Sequence, residues 1–94
     1  MVNMLDKFAM DMKQLVYLVK QYYTGDDTVL NAIRGKANLL IENLDGNRTW
    51  IKGPLDGIIK ILKQIAFMRS TEKINLEALK QAVILMKQLE IDLD

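Results

Sequence analysis

The sequence predicts an all-α protein, an antiparallel up-down-up-down four-helix bundle. Three observations predict it. Apolar residues recur at helical spacing in four segments, and short clusters of turn-forming residues separate those segments. No stretch shows the two-residue alternation or the β-branched runs of strands. With 94 residues, the chain has room for one hydrophobic core, so residues 1–94 read as one domain.

The first helix is expected over 3–23. Leu5, Phe8, Met12, Leu15, Val16, Val19, Tyr22 and Tyr23 fall on one side of it at about 100° per residue. Thr24-Gly25-Asp26-Asp27 ends it: Gly25 suits a left-handed C′ position, and Asp26 or Asp27 suits the N-cap of the next helix. The second helix, expected over 27–44, buries Leu30, Ile33, Ala37, Leu40, Ile41 and Leu44. Gly35 inside it marks either a close helix contact or a weak point, at about 1 kcal/mol relative to Ala. Asp45-Gly46-Asn47 is expected to stop it.

Pro54 opens a third helix over 54–69, since its missing N–H would be unpaired at a first helical position anyway. Leu55, Ile58, Ile59, Leu62, Ile65 and Ala66 form its apolar face. Asn75 is the expected N-cap of a fourth helix over 75–90, with Ile74 and Leu79 spaced as a hydrophobic staple. Leu76, Leu79, Val83, Met86 and Leu89 form its buried stripe. Helices of about 24–31 Å with short links favour antiparallel neighbours. No internal repeat, low-complexity tract or second domain is expected, and the six Met residues suit an adaptable core.

Composition removes several chemistries. The chain has no Cys and no His, so it offers no disulfide, no thiolate nucleophile and no imidazole for proton transfer or metal ligation. A net charge of +1 supplies no strong field for nucleic acid, because affinity for phosphates depends on clustered Lys and Arg. Asp26 and Asp27 are adjacent and do not share a helix face, so they read as a cap and a solvated neighbour rather than an acid–base pair. The stretch Asp45 to Asp56 imitates a calcium loop, but holds Trp50 where the EF-hand needs Gly and Asp56 where it needs a bidentate Glu. No phosphate-cradling loop or nucleophile elbow occurs. The expectation is a protein that is not an enzyme and needs no cofactor or metal. No run reaches the roughly 20 apolar residues of a membrane span. The expected location is the cytoplasm, with a peripheral place at the membrane left open.

The candidate contact residues lie around the third helix. Phe67 falls on its polar side with Lys60 and Lys63, and Trp50 and Lys52 precede the helix in the longest link. Together these five form a candidate aromatic and basic patch for a partner protein or a membrane surface, with Trp50 anchoring its link and Phe67 covering the bundle end or a loop as the competing readings. Ile84 and Ile91 lie off the main stripe of the fourth helix, either widening its buried face or marking a dimer seam.

Gly53-Pro54-Leu55 opening the third helix, the apolar helix after it, and Thr71-Glu72-Lys73-Ile74 leading into the fourth resemble the immunity proteins for pediocin-like (class IIa) bacteriocins, of the enterocin A immunity type. The length and four-helix plan are similar too, and the local motifs lie in the second half of the chain. The resemblance implies a cytoplasmic, non-catalytic protein that protects a producer cell from its own peptide. Members of that family act at the sugar-transporting phosphotransferase complex of the membrane, which serves as receptor. Their specificity lies mainly in the C-terminal half, including a tail beyond the fourth helix. This sequence stops at Asp94, and no residue is carried over as a site. The rival expectation is a homodimeric regulatory or adaptor module of plasmid or phage type, with nucleic-acid binding a weaker third.

Overall fold

Four helices follow one another in the computed structural model, which describes residues 4–46, 55–69 and 73–88. They are α1 (Met4–Tyr23), α2 (Leu30–Gly46), α3 (Leu55–Ala66) and α4 (Leu76–Gln88), with a single 3-10 turn, Asp27–Val29, leading into α2. No strand occurs among the described residues.

The first turn follows from its residues. Gly25 has φ of 108°, a conformation that costs Gly little and other residues much. Around it the Asp26 N–H donates to the Gln21 carbonyl and the Gly25 N–H to the Tyr22 carbonyl, at 3.2 and 3.1 Å. This 6→1 and 5→2 pair is the Schellman arrangement, which occupies carbonyls the helix end leaves open. Of the two candidate caps, Asp26 is the one used: its Oδ1 accepts from the Thr28 N–H at 3.1 Å and from the Thr28 hydroxyl. Asp27 instead begins the 3-10 turn, so the α-helix proper starts at Leu30.

Two helix ends differ from expectation. α2 continues through Asp45 and Gly46 rather than stopping at Leu44. α3 stops at Ala66, three residues short of the expected 69. Beyond it Met68 turns inward and is buried, and Arg34 Nη2 of α2 donates to its carbonyl at 2.8 Å. That charge-assisted bond holds the chain out of a further helical turn. Asn75 caps α4 as its sequence implies, accepting from the Ala78 N–H at 3.1 Å, with Ile74 and Leu79 both buried. Tyr23 at the end of α1 donates its hydroxyl to the Ile74 carbonyl and ties the entry of α4 to the first turn.

Consecutive helices run antiparallel. Lys36 of α2 meets Asp11 of α1 at 3.5 Å, and Arg34 near the start of α2 meets the far end of α3. Gly57 near the start of α3 lies against Leu85 near the end of α4, where a Cβ on Gly57 would come 3.2 Å from the Leu85 Cδ1. Gly57 therefore marks the close approach of α3 and α4, whereas nothing lies within 4 Å of a Cβ placed on Gly35. Six residues of α3 are buried, and the core around them draws Phe8, Met12 and Leu15 from α1, and Ile33, Leu40 and Leu44 from α2. Of the methionines with described side chains, Met12, Met68 and Met86 are buried and Met10 is exposed.

Gly35 is thus a weak point, not a contact. Gly35→Ala is expected to stabilise the fold by about 1 kcal/mol, read from a urea midpoint at constant slope. Removing the α4 cap with Asn75→Ala is expected to destabilise it by a similar amount, about 1 kcal/mol.

Candidate functional site

α2 packs against α1 and α3, and α3 against α2 and α4, but the backbones of α1 and α4 come close only sparsely. Among the described residues the bundle is therefore open along its fourth seam. Two adjoining cavities of about 510 and 300 Å³ fill that seam and share Val16, Lys20 and Val83 in their walls. Val19 and Leu79, both buried, lie beneath. Leu76 and Ile84 of α4 and Tyr17 of α1 stand along the edges at 42, 47 and 62% exposure. Lys13 and Lys87 mark one end of the trough, and Lys20 and Lys80 the other. All four lysines are exposed, and among the described residues no Asp or Glu lines either cavity.

The α4 half of this seam corrects one expectation. The sequence pattern places Leu76 and Val83 in the buried stripe of α4, yet Leu76 is exposed and Val83 only half-buried. Ala82 takes the inward position with Leu79 and Met86. The apolar arc of α4 is wider than the core can cover, so its edge faces the trough. Ile84 lies on that edge, exposed rather than widening the buried face.

The signal for this site is a repeat that the helical pattern conceals. Residues 13–21 read Lys-Gln-Leu-Val-Tyr-Leu-Val-Lys-Gln and residues 80–88 read Lys-Gln-Ala-Val-Ile-Leu-Met-Lys-Gln. Lys, Gln, Val, Leu, Lys and Gln coincide at the same places. This short stretch departs from the expectation of no internal repeat. In each copy, residues three, four and seven apart share one helix face, so a Val and a larger apolar residue stand between two lysines. Residues 31–38 of α2 show the same order of burial, but carry Arg34 and Gly35 where the repeat has its apolar pair. The antiparallel crossing sets the two copies face to face, Val16 beside Val83, in a local near-two-fold arrangement.

The expected patch around α3 divides. Lys60, Lys63 and Phe67 lie on one exposed face, and Phe67 is 71% exposed. Trp50 and Lys52 lie outside the described residues, as does Ile91 of the expected dimer seam, so the five-residue cluster is not assembled here. Lys60 and Lys63 sit with Asp56, Ile59 and Gln64 around a shallow depression on α3, where an acid accompanies the two lysines. Among the described residues no group of three or more His, Cys, Asp or Glu could hold a metal ion. None of their helices is long and apolar enough to cross a membrane. One buried charge stands apart: Asp11, 6% exposed, pairs with Lys36 on the α1/α2 side of the bundle, away from the seam.

What the seam can do is bind. It is a cleft within the roughly 300–1,000 Å³ range of ligand sites, with apolar walls for affinity and lysines for orientation. Because its edges are exposed, Leu76→Gln and Ile84→Ser are expected to shift stability by no more than about 0.5 kcal/mol. Leu79→Ala, beneath the same trough, is expected to cost about 2–5 kcal/mol. Denaturation midpoints of the three variants separate a free edge from a packed one.

No protein-family model matches this chain, and neither a curated protein nor a solved structure matches it.

Proposed function

We propose that this protein works by contact with another protein, without catalysis, and that the α1/α4 trough is its contact face. The observation that carries this reading is the apolar seam left open between two copies of one short sequence, each framed by lysines. Apolar side chains such as Leu76 and Ile84, left exposed and rimmed by polar lysines, have the makeup of a contact surface. The resemblance to class IIa bacteriocin immunity proteins supports a specific setting for that contact: the cytoplasmic side of the membrane of a producer cell, at the receptor complex that the peptide attacks. Of the residues that carry the resemblance, Thr71-Glu72-Lys73-Ile74 leads into α4, which forms one wall of the trough.

The homodimer reading has one observation in its favour, the exposure of Ile84. Against it, a two-fold contact through the trough would set one frame of lysines against another, and like charges brought together cost several kcal/mol in a desolvated interface. Light scattering is expected to return the 10.8 kDa monomer at every concentration; a doubled mass would favour the dimer.

The immunity reading has a direct test. A sensitive strain accumulating this protein is expected to grow in the presence of class IIa peptides that kill the strain carrying an empty vector. Killing of both strains across a panel of such peptides, with the protein present in the cells, would contradict immunity.

A further inference from the structure

We infer that the occupant of the α1/α4 trough is an amphipathic helix with acidic flanks, about three turns long, and that the trough accepts it in either chain direction. This rests on the reading of the trough as a contact face and names the chemistry of the partner.

Length and shape come first. The α4 wall runs from Leu76 to Lys87, which at 1.5 Å per residue is about 16 Å, or three helical turns. A helix laid in such a groove offers apolar side chains at i, i+3 or i+4 and i+7, the spacing that places anchors on one stripe. The floor is recessed: Val19 and Leu79 are almost wholly buried below exposed lysines. A recessed floor suits a convex side-chain stripe, whereas a flat bilayer would rest on the lysines and leave the floor unfilled.

Charge decides the flanks. Lys13, Lys20, Lys80 and Lys87 surround the apolar strip at both ends and on both walls. Glu77 of α4 meets Lys80 in an exposed pair at 3.4 Å, which leaves Lys13, Lys20 and Lys87 as the cations along the trough, with no acid among its described lining residues. Docking a basic or a neutral helix would desolvate these ammonium groups without compensation, while carboxylates beside the apolar stripe would pair with them. The same reasoning disfavours a second copy of this chain.

Direction follows from the repeat. Lys13-x-x-Val16-Tyr17-x-x-Lys20 and Lys80-x-x-Val83-Ile84-x-x-Lys87 cross antiparallel, so reversing the ligand exchanges one wall for a near-copy of the other. Both ends of the trough then contribute alike to binding.

The test uses the full chain and a stapled, capped peptide of about 15 residues, long enough to hold a helix. It carries Leu at i, i+4, i+7 and i+11, Glu beside that stripe and Ala elsewhere, with a fluorophore for anisotropy. Binding is expected, with amide shifts in NMR clustered at residues 13–20 and 76–87. Lys13→Glu with Lys87→Glu, and separately Lys20→Glu with Lys80→Glu, are each expected to weaken it by about tenfold or more and to similar extents. Lys60→Glu with Lys63→Glu on α3 is expected to leave it unchanged. A spin label on either end of the peptide is expected to broaden signals at both ends of the trough. Equal or tighter binding of the Lys-for-Glu peptide would overturn the acidic occupant. So would shifts confined to α3, or stronger binding to anionic vesicles that depends on the same four lysines. Residues 89–94 read Leu-Glu-Ile-Asp-Leu-Asp; if neutralising Glu90, Asp92 and Asp94 tightened the peptide, the trough would belong to the chain's own end and the proposal would fall. No binding at all, with the four-lysine variants still losing protection in the sensitive strain, would overturn the acidic helix and leave the contact reading standing.

Discussion

Burial of one face of α3 between α2 and α4 is the interaction on which the rest of this fold depends. Leu55, Ile58, Ile59, Leu62, Ile65 and Ala66 fill half of a short helix and are all buried, each large one contributing about 1.5–3 kcal/mol. Gly57 lets α4 approach α3 closely, and Arg34 secures the far end of α3 to α2. With α3 held on both flanks, α2 and α4 lie on opposite sides of it. α1 packs on α2 and makes few backbone contacts with α4, and Val16 and Val83 line the cavities between those two helices. The open seam goes with where the bulky residues point: those of α3 and of the inner faces of α1 and α2 fill the core, while Tyr17, Leu76 and Ile84 stand outside at the seam's edges.

That distribution connects packing to function. A bundle seeking only stability would close its fourth seam with Leu or Phe at positions 16 and 83. Here the facing pair is Val with Val, and the larger Tyr17 and Ile84 stand outside at the edges. Four lysines surround this strip instead of the mixed charges found elsewhere on the helices. A near-neutral protein therefore carries one locally basic, apolar surface, which net charge alone conceals.

Most of the architecture was legible from residue types with a local mechanism. Gly25, Asp26 and Asn75 mark their turns because each supplies a conformation or an oxygen that a helix end requires. The inward faces of α2 and α3 follow from their strong periodicity. Where the end of α3 falls does not, because it is set by Arg34 reaching a carbonyl thirty-four residues away in sequence. Which face of α4 is covered is not legible for a related reason. Its apolar residues span a broad arc, and only the position of α1 decides which part is covered. Lys60, Lys63 and Phe67 stood out because an aromatic among lysines breaks a pattern. The trough residues did not, since Val16 and Val83 each look like ordinary core positions until the two helices are set side by side.

The most direct measurement of the central claim is the solvent exposure of methyl groups across the α1/α4 seam, read by NMR relaxation with a soluble gadolinium chelate. The open seam predicts that Leu76 and Ile84 methyls relax strongly, Val16 and Val83 to an intermediate degree, and Leu40 and Leu62 hardly at all. Protection of Leu76 and Ile84 equal to that of Leu40 would mean that this face is covered in solution and would contradict a free contact surface between α1 and α4.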